Sequence, residues 1–218
     1  MKRALVLTLT LFGSICATQA QDVVGKAADG ARKVAMCIGC HGIPGYQASF
    51  PEIHKVPMIS GQNEKYLAAS LHAYKKGERR HPTMRGIAAS LSEQDIADIS
   101  AYYADHAGGG NPEVPETAAP ARADVAALLT KGACASCHGT NYNKPIDASY
   151  PKIAGQHGDY LYVALRAYRT AGNPLIGRAN PIMAGMVQQF SNAELKAMAD
   201  YLASLPGDLR TVPQSRFR

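Results

Sequence analysis

Several things are missing from this 218-residue chain. Beyond its first fifteen residues no segment is apolar enough to cross a bilayer, which excludes internal membrane spans. No stretch alternates apolar and polar residues as a half-buried strand does, which excludes a fold built on sheets. There is no dense basic stripe, although 23 Lys+Arg exceed 17 Asp+Glu, so the charge does not point to nucleic acid. Cysteine is scarce, five residues in all, and the sequence around four of them points away from disulfides. What is present is a 46% share of hydrophobic residues, enough for a core and too much for a disordered tail.

Residues 1–20 read as an export signal. Lys2 and Arg3 form a basic start, and Ala4 to Ile15 is an apolar run of roughly a dozen residues, too short to span a membrane. Thr18-Gln19-Ala20 offers small residues where a signal peptidase reads, so cleavage is expected after Ala20 and a periplasmic location follows. The alternative, a retained anchor, is disfavoured by the length of the run. Cys16 lacks the Leu three positions earlier that a lipoprotein site needs. The mature chain keeps 21 basic and 17 acidic residues, and four cysteines: Cys37, Cys40, Cys134 and Cys137.

The chain repeats itself at about 95 residues. Cys37-Ile38-Gly39-Cys40-His41 returns as Cys134-Ala135-Ser136-Cys137-His138 at an offset of 97. Pro57-Met58-Ile59-Ser60-Gly61-Gln62 returns as Pro151-Lys152-Ile153-Ala154-Gly155-Gln156 at 94, as do Tyr66, Leu67, Leu71 and Tyr74 as Tyr160, Leu161, Leu165 and Tyr168. Met84 and Leu91-Ser92 return as Met183 and Phe190-Ser191 at 99. Two copies are too few for a solenoid and read as duplicated domains, 21–106 and 121–218, the second with a short tail. Between them, 107–120 is rich in Gly, Pro, Ala and Thr and reads as a linker.

Both copies read as helical. Leu67, Leu71 and Tyr74 fall at helical spacing before Gly77, and Leu161, Leu165 and Tyr168 before Gly172. The last helix of each copy opens with a capping pattern, Ser92 to Asp95 and Ser191 to Glu194. Stripes follow, Ile96, Ile99 and Tyr103 in one copy, Leu195, Met198, Leu202 and Leu205 in the other. Such stripes are core and by themselves imply no cofactor.

The paired Cys-x-x-Cys-His segments do. Two cysteines separated by two residues on a helical turn reach the two vinyl positions along one edge of a porphyrin, and the next residue places an imidazole under the iron. A redox dithiol would need a βαβ setting, and a zinc ribbon would separate its pairs by roughly 15–20 residues, where over ninety intervene here. Neither explains a His after both pairs. Two covalent haem c groups are therefore expected, on Cys37, Cys40 and His41 and on Cys134, Cys137 and His138.

Each iron has a sixth position, and only one methionine position is shared by both copies, Met84 and Met183. These are the expected axial ligands, since Met opposite His gives an electron-transfer centre. Met186, one helical turn beyond Met183, is the rival for the second haem. His54, His72, His81, His106 and His157 recur nowhere in the other copy; His81, three residues before Met84, is the one competing ligand to check. A ligating His usually donates its other ring N–H to a carbonyl. The Pro57 and Pro151 carbonyls are candidates, the alternative being prolines that only shape a loop.

In this order, Cys-x-x-Cys-His, Pro-x-Ile-x-Gly-Gln and Met before Leu-Ser-Glu-Gln-Asp-Ile-Ala-Asp-Ile-Ser-Ala-Tyr-Tyr, the residues resemble class I cytochrome c, and two such units in tandem resemble the dihaem cytochrome c4 family. The resemblance covers about residues 25–106 and 122–206. It implies an all-α protein of two class I cytochrome c domains related by a pseudo-twofold, both irons His/Met-ligated, and Pro57 and Pro151 carbonyls accepting from the haem histidines. It implies a carrier at or near a membrane surface, in a respiratory chain. The donor would be a quinol-oxidising complex or a dehydrogenase, and the acceptor a terminal oxidase. A cytochrome subunit of a periplasmic dehydrogenase is the first alternative, and a haem enzyme with an open iron the second. The first copy carries three extra residues between haem and Gly-Gln, and its Ile43 to Val56 loop is a candidate partner-docking element.

Overall fold

The computed structural model describes residues 23–106 and 113–213. The expected export signal with Cys16, and residues 107–112 of the expected linker, lie outside the described residues.

Ten helices carry the fold among these residues. The first repeat supplies α1 (Ala27–Lys33), α2 (Ala35–His41), α3 (Glu64–Lys76), α4 (Pro82–Ala89) and α5 (Glu93–Asp105). The second supplies α6 (Ala123–Lys131), α7 (Ala135–His138), α8 (Gly158–Arg169), α9 (Pro181–Val187) and α10 (Asn192–Ser204). Four strands of two residues each are the sheet among the described residues: β1 (Gln47–Ala48), β2 (His54–Lys55), β3 (Arg79–Arg80) and β4 (Gly177–Arg178). The fold is thus all-α in substance. No described helix is long and apolar enough to cross a membrane.

The sequence pattern explains the helices. Ser92 and Ser191 each accept from the backbone N–H three residues on, while Asp95 and Glu194 reach back to the serine N–H, so both capping boxes form. Their helices bury the expected stripes: Ile96, Ile99 and Tyr103 on α5, Leu195, Met198 and Leu202 on α10. Helix α3 ends at a left-handed Gly77, as expected, whereas α8 ends earlier, on an extended Thr170. Each repeat has its own core. Val34, Ile38, Leu67, Leu91, Ile96, Ile99 and Tyr103 cluster in the first. Val125, Leu129, Leu161, Phe190, Leu195, Met198 and Leu202 belong to the second.

The two domains meet through polar groups. Strands β3 and β4 pair antiparallel across the boundary, Arg79 opposite Arg178, and the Ala179 N–H donates to the Glu78 carbonyl at 2.7 Å. The chain end returns to the first domain, where the Arg210 N–H donates to the Ser60 carbonyl at 3.0 Å. The Ile43–Val56 loop, the candidate docking element, also touches the second domain. It folds as the β1–β2 hairpin and lies on α8: Glu52 pairs with Arg166 at 2.9 Å, the Lys55 N–H donates to Asp159 Oδ2 at 3.0 Å, and His54 stacks on Tyr160. The hairpin thus bridges the domains, while Ile43, Tyr46 and Ile53 stay exposed along it.

Candidate haem sites

Helix α2 places Cys37, Cys40 and His41 on one short helix, and Cys134 leads into α7, which carries Cys137 and His138. The imidazoles are fixed from behind. His41 Nδ1–H donates to the Pro57 carbonyl at 2.9 Å and His138 Nδ1–H to the Pro151 carbonyl at 3.0 Å. Burial pushes both imidazole pKa values down, although the carbonyl bond works against it. The neutral ring with Nδ1 protonated leaves Nε2 with its lone pair, the form a metal needs.

The first cysteine of each pair is not set up as a reactive thiolate. Burial pushes the Cys37 thiol up to about 11 and raises Cys134 as well. A redox or metal-binding cysteine needs its pKa lowered. A thiol held protonated in an apolar wall suits a sulfur that ends as a thioether.

A continuous cavity of about 620 Å³ runs past both Cys-x-x-Cys-His segments. Its walls include Leu67, Leu71, Ile99 and Leu91 on one side of the interface and Leu161, Leu165, Val187 and Phe190 on the other. Met84 and Met183 line it too, each the third residue of a short helix that begins with Pro. His81 Nδ1 accepts from the Met84 N–H at 3.5 Å, and Asn180 Oδ1 from the Met183 N–H at 2.9 Å. His81 is thereby a helix cap whose Nε2 faces the Phe50 carbonyl at 3.3 Å. Met183 packs against the second core, while its rival Met186 also lines the cavity but is 41% exposed.

Two groups escaped the sequence reading. Arg79 donates to Ser70 Oγ at 3.0 Å and to the Tyr160 hydroxyl at 2.8 Å, and Arg178 donates to the same hydroxyl at 3.0 Å. Each guanidinium also stacks on tyrosines, Arg79 on Tyr74 and Arg178 on Tyr168. Arg79 Nε is buried with no partner among the described residues. Burial raises the Tyr160 phenol pKa, but the two cations outweigh it and hold the group down at about 8. Two positive charges in one cavity wall, with a donor left over, fit the carboxylates that a haem brings. The signal was present: the offset of 99 that relates Met84 to Met183 also relates Arg79 to Arg178. The residues therefore fit two haems: sulfurs and imidazoles on one turn, an apolar cleft, and cations beside it.

Comparison with known proteins agrees. The cytochrome c family model matches residues 27–105 and 123–206. The chain is 31% identical to cytochrome c4 of Pseudomonas aeruginosa, covering 93% of this chain and 96% of that one. It is 29% identical to a thiosulfate dehydrogenase electron acceptor of Thiomonas intermedia, over 80% of each chain. The crystal structure of reduced recombinant cytochrome c4 from Pseudomonas stutzeri superimposes with a TM-score of 0.61 at 29% identity, covering 84% of this chain and all of that one.

Proposed function

Because the chain belongs to the cytochrome c family, as a tandem dihaem protein of the cytochrome c4 kind, we propose that it is a periplasmic one-electron shuttle whose two irons are held by His41 with Met84 and by His138 with Met183. The observation that carries this reading is that both shared methionines line the same cavity as the two histidines. Haem c supplies an iron that cycles between two oxidation states.

The chain's own residues do the rest. Cys37, Cys40, Cys134 and Cys137 tether the two macrocycles. Pro57 and Pro151 carbonyls orient the imidazoles. Leu67, Leu91, Leu161 and Phe190 exclude water, so that little reorganises when charge changes. Ligands that stay in place suit outer-sphere transfer rather than substrate chemistry, which is the reading of this chain as a carrier and not an enzyme.

The direction of flow is from a quinol-oxidising complex or a dehydrogenase, through the two haems, to a terminal oxidase, with short encounters at a membrane surface. Likeness to a thiosulfate dehydrogenase electron acceptor supports a second reading, in which a periplasmic dehydrogenase is the dedicated donor. Stopped-flow mixing of the reduced protein with oxidase-containing membranes, and of the oxidised protein with a purified thiosulfate dehydrogenase and its substrate, separates them. Rapid reoxidation by membranes supports the shuttle. Reduction by the dehydrogenase with no reoxidation by membranes supports the dedicated subunit and overturns the oxidase assignment.

A further inference from the structure

The repeated block after each haem motif ends in a glutamine that lines the cavity and hydrogen-bonds backbone of the other domain. Gln62 and Gln156 are 5% and 4% exposed, and each reaches into the other domain. Gln156 Oε1 accepts from the Met58 N–H at 3.0 Å, and its Nε2 donates to the Met58 carbonyl at 2.9 Å. Gln62 Oε1 accepts from the Lys152 N–H at 2.9 Å, and its Nε2 donates to the Lys152 carbonyl at 2.9 Å. The amides are locked in place. Asn63 N–H donates to Gln62 Oε1 and His157 N–H to Gln156 Oε1, both at 3.0 Å. Gly61 and Gly155, at φ of 82° and 71°, make the left-handed turn that aims each side chain across the boundary.

The Met58 N–H and the Pro57 carbonyl are the two ends of one planar peptide unit. The carbonyl end accepts from His41, in the first domain. The N–H end donates to Gln156, in the second. The Pro151–Lys152 unit is wired in the mirror sense, with His138 at its carbonyl and Gln62 at its N–H.

We propose that Gln156 and Gln62 are positioning residues that tune the axial histidine of the opposite domain, Gln156 acting on His41 and Gln62 on His138. The proposal rests on the reading of those histidines as iron ligands. An acceptor at the N–H end of a peptide polarises it and makes its carbonyl a stronger acceptor, because hydrogen bonds in a chain reinforce one another. A stronger hold on Nδ1–H makes the imidazole a more basic ligand. That favours ferric iron and lowers the potential. Each domain thus sets part of the other's redox poise through three links: amide oxygen, peptide unit and imidazole.

The test uses the full-length protein loaded with both haems. Gln156→Leu and Gln62→Leu are titrated potentiometrically, the two haems being followed separately by their proton NMR resonances. The Nδ1–H resonances of His41 and His138 are recorded in the reduced state. Gln156→Leu is expected to raise the potential of the first-domain haem more than that of the second and to move the His41 Nδ1–H upfield. Gln62→Leu should do the same to the second-domain haem and His138. Gln156→Glu keeps the acceptor and adds charge, so it should lower the first-domain potential. Should a leucine variant fail to take up haem, the methionine substitution, closer in shape, carries the same expectation. The proposal is overturned if each variant affects its own domain's haem more. It is equally overturned if the resonances stay at wild-type positions, or if both potentials fall together as water enters a loosened interface. A wild-type protein lacking two low-spin haem c spectra would instead sink the ligand reading beneath it, a failure visible before any variant is made.

Discussion

At the scale of the residue, the clearest energetic statement concerns Asp98. Its carboxylate is 1% exposed and accepts from the Lys26 N–H at 2.8 Å, Lys33 Nζ at 2.6 Å and Gln94 Nε2 at 2.8 Å. Burial raises its pKa, yet these donors together hold it below the usual carboxylate value. The stabilisation from a depressed pKa is complete above the unfolded value of about 3.9 and is lost as pH falls through the folded one. Asp98→Ala should therefore cost about 1–3 kcal/mol at pH 7 by removing the charged acceptor that these three donors share. The gap to wild type should narrow below about pH 4, a trend that urea denaturation at both pH values would reveal. The haem residues obey a different logic. On the proposed ligation, Met84→Ala or Met183→Ala would remove one strong ligand from one iron, so each variant should bind carbon monoxide at one haem per molecule, read from the reduced visible spectrum. A Met186→Ala variant should bind none.

At the scale of the element, the short helices matter most, because α4 and α9 present the methionines. Each starts with Pro and a side chain that accepts from the Met N–H. Helices α5 and α10 close each domain, and their capping boxes are independent of the haems. Ser92→Ala and Ser191→Ala should each cost about 1 kcal/mol in chemical denaturation and leave the visible spectrum unchanged. Helices α5 and α10 were legible because their signals are local. A serine three residues before an acid and an apolar stripe at helical spacing both act within one turn or two. The Ile43–Val56 hairpin was not legible. Its partners, Arg166 and Asp159, lie more than a hundred residues away in the sequence, and no local pattern encodes which surface a loop will cover. Gln62 and Gln156 fell between these cases. Their recurrence was plain in the repeat, but their work is done on the other domain, which only the packed pair reveals.

At the scale of the whole molecule, the interface is polar and charged where the domain cores are apolar. Arg79 and Arg178 converge on the Tyr160 hydroxyl beside a cavity that serves both haem motifs. A positive charge there favours the ferrous state of either iron. Arg79→Gln and Arg178→Gln should each lower both potentials by tens of millivolts, the scale of a unit charge acting at roughly 10 Å through an effective dielectric of about 20. Raising the salt should shrink this effect little, because the charges lie away from solvent. The Glu52–Arg166 pair that helps tie the hairpin to α8 is a contrasting case. Both side chains are about two-fifths exposed, so Glu52→Ala should cost no more than about 1 kcal/mol. The central claim is that both irons keep two protein ligands while they change oxidation state. Its most direct test is the visible spectrum of the reduced, full-length protein before and after carbon monoxide. An unchanged spectrum is the predicted result and leaves two closed electron-transfer centres. A carbon monoxide complex in the native protein would contradict the account, since one of Met84 and Met183 would then not hold its iron and that site would be open to chemistry.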